Sequence, residues 1–296
     1  MPFIPSAAQI LSSSPTATSI FGTGADGDVT IAAGTTTLTR DMQYNNLVVN
    51  GTLSTAGFRV FIRGTLTGAG TITYVQDNNT QTGSPGIPYN DTPGYYNLGL
   101  RCQGGAGNTG AGAVGIDPGF ATKIGGRGGS GGLGASGAGG AGGIANDITT
   151  GTTGVGIADI SKILPLMVIM GQGYNNGSLL NKYFGGTGGG GGGGDGVNNG
   201  TGGAAGGGVV VVVCFNASGF TGSLTAPGAS QTSTGPIAGN CGGGGGGGGG
   251  FVGFFYATAP SGAYTISAAK GLGGSKIGTG VAGSDGEVGT TLAAFV

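Results

Sequence analysis

Two apolar runs stand out along the chain, and each is followed by a shorter one. Val209-Val210-Val211-Val212-Val213-Cys214-Phe215 precedes Ser223-Leu224-Thr225-Ala226, and Phe251-Val252-Gly253-Phe254-Phe255-Tyr256 precedes Thr265-Ile266-Ser267-Ala268. Val209 and Phe251 lie 42 positions apart, as do Leu224 and Ile266. Two elements that keep one offset make an internal repeat, each unit reading as strand, polar turn, short strand and Gly-rich return. A fainter third copy runs from Ile163 to Met170, followed by Gly177-Ser178-Leu179-Leu180 and the glycines at 188–194.

Nearer the N-terminus the pattern shortens. Leu47-Val48-Val49-Asn50, Phe58-Arg59-Val60-Phe61-Ile62-Arg63 and Thr71-Ile72-Thr73-Tyr74-Val75 are β-branched or aromatic runs bounded by Gly and Asn. The tags Gly51-Thr52-Leu53-Ser54, Gly64-Thr65-Leu66-Thr67 and Gly70-Thr71-Ile72-Thr73 recur among them. Short strands with small polar corners predict stacked β-helix-like rungs with an inward aliphatic ladder. Helical periodicity is missing, apart from a brief stretch at 157–164. The pattern therefore predicts an all-β chain.

Composition changes the picture between the strands, because 78 of 296 residues are Gly. Ordering Gly costs about 0.5–1 kcal/mol more than ordering Ala, so a systematic interaction must offset it. Gly125, Gly128, Gly131, Gly134, Gly137, Gly140 and Gly143 recur every third residue, as do Gly104, Gly107 and Gly110. Three residues make one turn of a polyproline-II-type helix, and a Gly ridge lets neighbouring backbones meet closely. Collagen shares that period but needs abundant Pro, which 125–143 lacks. Extended polyglycine-II segments packed side by side are expected, probed further by a run of nine glycines at 242–250.

Charge and chemistry narrow the function. Ten Lys and Arg against eleven Asp and Glu leave a net charge of -1, which argues against nucleic-acid partners and against a polybasic membrane contact. His is absent, removing the commonest general base and the His-dependent nucleophile pairs and zinc sites. Cys102, Cys214 and Cys241 form no CxxC pair and read as buried thiols. No apolar run approaches the ~20 residues of a membrane span, and residues 1–15 lack the features of a secretory signal. Gly105-Ala106-Gly107-Asn108-Thr109-Gly110 satisfies GxGxxG but lacks the flanking strand and helix of a dinucleotide site. Gly190 to Asn198 fits one calcium-binding nonapeptide through Asp195 and Val197, without the tandem copies such sites need. Asp26 and Asp28 flank Gly27 and read as turn residues, not as a glycosidase carboxylate pair. No catalytic, cofactor-binding or metal residues are assigned, no cofactor is expected, and the chain is not expected to be an enzyme.

These signals divide the chain into an extended Ser/Thr/Ala/Pro arm at 1–20, a β-strand or β-helix-like module at 21–75, a loop insertion at 76–103, and a Gly-rich strand and polyglycine-II domain at 104–296. The insertion carries Tyr89, Asp91, Tyr95 and Tyr96 among prolines. Tyr provides large amphipathic area at low entropic cost, so these four residues are the candidate receptor or partner contacts.

The segment Phe21-Gly22-Thr23-Gly24-Ala25-Asp26-Gly27-Asp28-Val29-Thr30, followed by Thr36-Thr37-Leu38-Thr39-Arg40-Asp41-Met42-Gln43-Tyr44-Asn45-Asn46-Leu47 and Asn50-Gly51-Thr52-Leu53, is similar to a recurring module of bacteriophage virion proteins. The same proteins continue with aliphatic strands between Gly tracts and close on a segment like Gly283-Ser284-Asp285-Gly286-Glu287-Val288. That resemblance implies a non-enzymatic component of the virion: a tail fibre, a receptor-binding adhesin, or a head fibre or decoration protein. It implies a homotrimer docked on capsid or tail proteins, with a host surface polysaccharide or outer-membrane protein as the distal partner. Few aromatic residues fall within 185–250, a departure from polyglycine-II adhesins. An ice- or surface-binding Gly-rich protein, or a cell-surface adhesin, is the alternative; an ice binder would show a flat, regular face of small residues along the entire chain, which the β-rich first 75 residues and the 42-residue repeat fit poorly.

Overall fold

The computed structural model describes residues 20–74, 105–115, 125–142, 185–232 and 239–296, and the backbone of short strands at 99–100, 122–123, 173–175, 178–180 and 183–184. All regular structure among these residues is strand, as the apolar pattern predicts. The stretch at 157–164 lies outside the described residues.

The N-terminal region forms β1 (Val29–Ile31), β2 (Thr35–Thr37), β3 (Met42–Tyr44), β4 (Leu47–Val49), β5 (Thr52–Ser54), β6 (Arg59–Gly68) and β7 (Thr71–Thr73). Five short strands follow, β8 (Gly99–Leu100), β9 (Thr122–Lys123), β10 (Gly173–Asn175), β11 (Ser178–Leu180) and β12 (Tyr183–Phe184). The last five are β13 (Val209–Phe220), β14 (Ser223–Thr225), β15 (Phe251–Thr258), β16 (Thr265–Ser267) and β17 (Thr290–Phe295).

Two parallel sheets organise β1–β7 and β13–β17, while β8, β12 and β9 form a third and β10 and β11 an antiparallel pair. One runs β1-β4-β6-β13-β15-β17, with β3 also paired to β6; the other runs β2-β5-β7-β14-β16. Among these twelve strands the chain passes alternately between the first sheet and the second, except that β3 and β4 both join the first. The 42-residue repeat is the spacing of two such passes, since Val209 pairs with Phe251 and Leu224 with Ile266. Of the three Gly-Thr tags, Thr52–Ser54 and Thr71–Thr73 stack on each other, while Leu66 of the third pairs with Leu47 in the other sheet. Of the fainter third copy, 163–170 lies outside the described residues, and Ser178–Leu180 forms β11, paired antiparallel with β10.

Alternation along the strands builds the core. Leu53, Ile72 and Leu224 form a buried column in the second sheet and join Val49, Val60, Ile62, Val212, Cys214, Val252 and Phe254 of the first in one apolar cluster. The opposite face of β13 and β15 is buried as well, with Val209, Val211, Val213, Phe251 and Phe255 gathered beside Phe21. Burial on both faces explains why these strands are continuous apolar runs rather than alternating ones.

The Gly tracts occupy the excursions between passes, and their hydrogen bonds follow a three-residue period. Along 242–250, Gly242, Gly245 and Gly248 donate to Gly193, Gly190 and Thr187 and accept from Thr201, Ala204 and Gly207. Gly243, Gly246 and Gly249 donate to Val281, Ser284 and Glu287 and accept from Gly132, Gly129 and Gly126. On the third ridge, Gly247 and Gly250 donate to Ala229 and Ala226, while Gly244 and Gly247 accept from Gly274 and Gly271. The Gly244 N–H is taken by the Thr201 hydroxyl at 2.6 Å. One extended segment is therefore ringed by six others of the same chain, each ridge serving two of them. This satisfies the backbone donors and acceptors that burial would otherwise penalise, and it offsets the ordering of Gly.

Candidate functional site

The Gly segments end in turns rich in Asn, Asp, Ser and Thr, residues whose short side chains cap backbone groups locally. Asp195 organises the largest of them. Its carboxylate accepts from Val197 N at 3.1 Å, Asn198 N at 2.7 Å, Asn198 Nδ2 at 3.1 Å and Asn240 N at 3.0 Å. The Asn198 and Asn240 backbone donors, foremost among these, hold the carboxyl far below its ordinary pKa. Gly196 N donates to Thr109 O and Gly200 N to Asn108 O, which brings the 108–111 turn alongside. Ser136 N reaches Gly194 O and Ala135 N reaches Asn240 O, adding the 134–137 turn. Thr279 N donates to Asn240 Oδ1 at 2.9 Å and Ile277 N to Cys241 O, adding a fifth turn.

Five turns distant in sequence thus meet at one end of the bundle. Asn108, Thr109, Ser136, Asn199, Lys276 and Thr279 are exposed there, and Val197 is 83% exposed. Amides, hydroxyls and one ammonium can donate and accept hydrogen bonds to a partner. They do not form an acid–base pair, since the Asp195 oxygens are already committed to four N–H donors.

No known protein family, curated protein or solved structure matches the chain.

The candidate contacts Tyr89, Asp91, Tyr95 and Tyr96, the 1–19 part of the arm, and Cys102 lie outside the described residues. The other motifs find structural employment. In the GxGxxG segment, Gly105 N donates to Gly189 O and a Cβ on Gly107 would strike Gly200 O, so the first two glycines are packed against neighbouring backbone. Asp26 accepts from Arg40 and from Gln43 N, the Arg40 guanidinium chiefly holding its carboxyl below the ordinary value. Asp28 accepts from Asn45 Nδ2, Asn46 N and Asn46 Nδ2, with Asn46 Oδ1 in turn accepting from Thr65 N. Both carboxylates staple one pass to the next. Burial pushes the Cys214 thiol up to about 12, and the Cys241 thiol is also raised, first by burial, as fits inert packing groups. Among the described residues no group of three or more His, Cys, Asp or Glu could hold a metal ion, and no helix is long and apolar enough to cross a membrane.

The turn cluster escapes a reading by motif because its residues are scattered over 108–279. The available signal was the polar residue that ends each Gly run: Asn108, Ser136, Asp195, Asn240 and Thr279.

Proposed function

We propose that the chain is a non-enzymatic structural protein of a bacteriophage virion, a fibre or decoration protein that works as a homotrimer. In this reading the stacked passes are β-helix rungs and the Gly tracts are polyglycine-II helices. The arm at 1–20 docks on capsid or tail proteins, and recognition of the host surface falls to exposed turns and loops. Partners are other virion proteins and a host polysaccharide or outer-membrane protein; the protein resides in the virion.

The observation that carries the reading is the convergence of five turns at one end of a bundle whose interior is consumed by backbone hydrogen bonds. A rigid stack presenting exposed loops is a scaffold for contact, since loops on rigid elements place binding groups while the scaffold holds them. Immunogold labelling of phage particles with antibodies to the purified chain is the test. Labelled particles are expected, with label lost when residues 1–20 are deleted although the truncated chain still folds. Unlabelled particles from cells making the chain would overturn the reading, and polysaccharide cleavage by the purified chain would overturn its non-enzymatic part.

A further inference from the structure

The first sheet ends differently on its two sides. Its strands β4, β6, β13 and β15 are paired on both edges, but among the described residues β17 is paired on one edge only, with β15. Thr290 N donates to Gly250 O at 3.0 Å and Val296 N to Tyr256 O at 3.1 Å. In a parallel ladder the N–H and C=O of one residue point to the same side and successive residues alternate, so Thr290, Leu292, Ala294 and Val296 serve β15. Thr291, Ala293 and Phe295 therefore turn three N–H and three C=O groups away from the sheet. All three residues are exposed.

The opposite end is closed. Gln43 is the outward-facing residue of β3, and its N–H donates to the Asp26 carboxylate at 2.6 Å while its C=O accepts from Asp26 N at 2.9 Å. Arg40 pairs with the same carboxylate. The other strand on that side, β1, spans three residues and turns only Thr30 outward, because Val29 and Ile31 bond toward β4. Charges and covering turns are the usual means by which a sheet edge is kept from pairing with another chain. β17 has no charged residue. Its side chains instead carry the apolar clusters to the rim. Thr291, Ala293 and Phe295 lie in register with Val252, Phe254 and Tyr256 of the core, while Leu292 and Ala294 pack against the outer cluster. The Phe295 ring meets Tyr256 edge-on at 5.0 Å and is still 70% exposed.

We infer that this edge takes up an extended, uncharged strand of a partner protein, which pairs with β17 along the main chain and lays aliphatic side chains beside Phe295 and Leu292. In such strand addition the main-chain bonds supply the attachment and the alternate side chains the selectivity. A charged segment would bring its charges against the apolar rim without a counter-ion. The N-terminal edge of a second copy does not fit, since the Asp26 turn already fills β3. The inference rests on the edge of the first sheet alone and stands apart from the virion reading.

The test titrates the full chain into a fluorescent, uncharged peptide of alternating Val and Thr. Saturable binding is expected, with slower amide exchange at Thr291, Ala293 and Phe295 and no change at Leu292 and Ala294. Ala293→Pro is expected to weaken binding about tenfold or more at an unchanged melting temperature, because the N–H it removes makes no bond within the sheet and Pro is tolerated where a strand N–H faces outward. Thr291→Pro gives the same reading if the first variant misfolds. Both keep Phe295 and Leu292, so undiminished binding by a folded variant is apolar adhesion and overturns the inference. Absence of saturable binding to the wild-type chain overturns it too. So does pairing of the wild-type chain with its own copies through β17, seen as even-numbered assemblies that Ala293→Pro disperses.

Discussion

A Cβ atom is what most of the glycines in the bundle cannot accept. One built on Gly245 lands on the carbonyl oxygen of Gly129, whereas one on Gly110 meets nothing within 4 Å. Gly245→Val is therefore expected to lower stability by at least about 1–3 kcal/mol, the usual overpacking range, and Gly110→Ala to leave it nearly unchanged. Thermal melting of the two variants checks the contrast. Asp195 acts at the same scale through charge. Its carboxyl titrates far below the ordinary value, so its contribution is present above about pH 4 and fades as pH falls toward the folded-state value. Amide exchange at Asn198 and Asn240 is expected to stay slow, relative to their intrinsic rates, from neutrality to pH 4. Asp195→Asn should speed it at every pH, and fast wild-type exchange at pH 4 would contradict this. The need for Gly at every third position was legible in the spacing. The role of Asp195 was not, because its partner Asn240 is 45 residues away and four N–H donors leave no motif.

At the scale of elements, the register of the repeat was readable and the choice of neighbours was not. Val209 with Phe251 and Leu224 with Ile266 follow from matching apolar runs. The pairing of β6 with β13 joins Val60 to Val212 across a long insertion, and nothing local announces it. Within the bundle the limit is more basic: glycines are identical, so a tract of them names no partner, and only the flanking strands and capped turns decide which segments meet. This makes the ridge assignment sensitive to length. Deleting Gly246 rotates every later residue of the segment by a third of a turn, so the position that placed the Gly248 N–H on Thr187 faces another neighbour. Deleting Gly245, Gly246 and Gly247 together preserves the ridges and shortens the segment by one turn. The single deletion is expected to melt at a lower temperature than the triple one; the reverse order would contradict the three-ridge arrangement.

For the whole molecule, the six segments around 242–250 all come from one chain. Ordering the glycines thus calls for no second copy, and the proposed homotrimer must be held by side chains that the fold leaves outside. Leu272, Val281, Val288 and Phe295 are candidates, each at least 49% exposed. Native mass measurement is expected to give three chains, reduced to one when Val281 and Val288 are both replaced by Lys; a stable wild-type monomer would retire the trimer. The tract at 242–250 also has a meaning for inheritance. A run of glycine codons gains and loses whole codons when it is copied, and the fold counts those codons in threes. Variants differing by one or two codons place the wrong ridge against each neighbour, while a change of three restores the pattern, so lineages carrying this gene should preserve the number of glycines modulo three more strictly than the number itself.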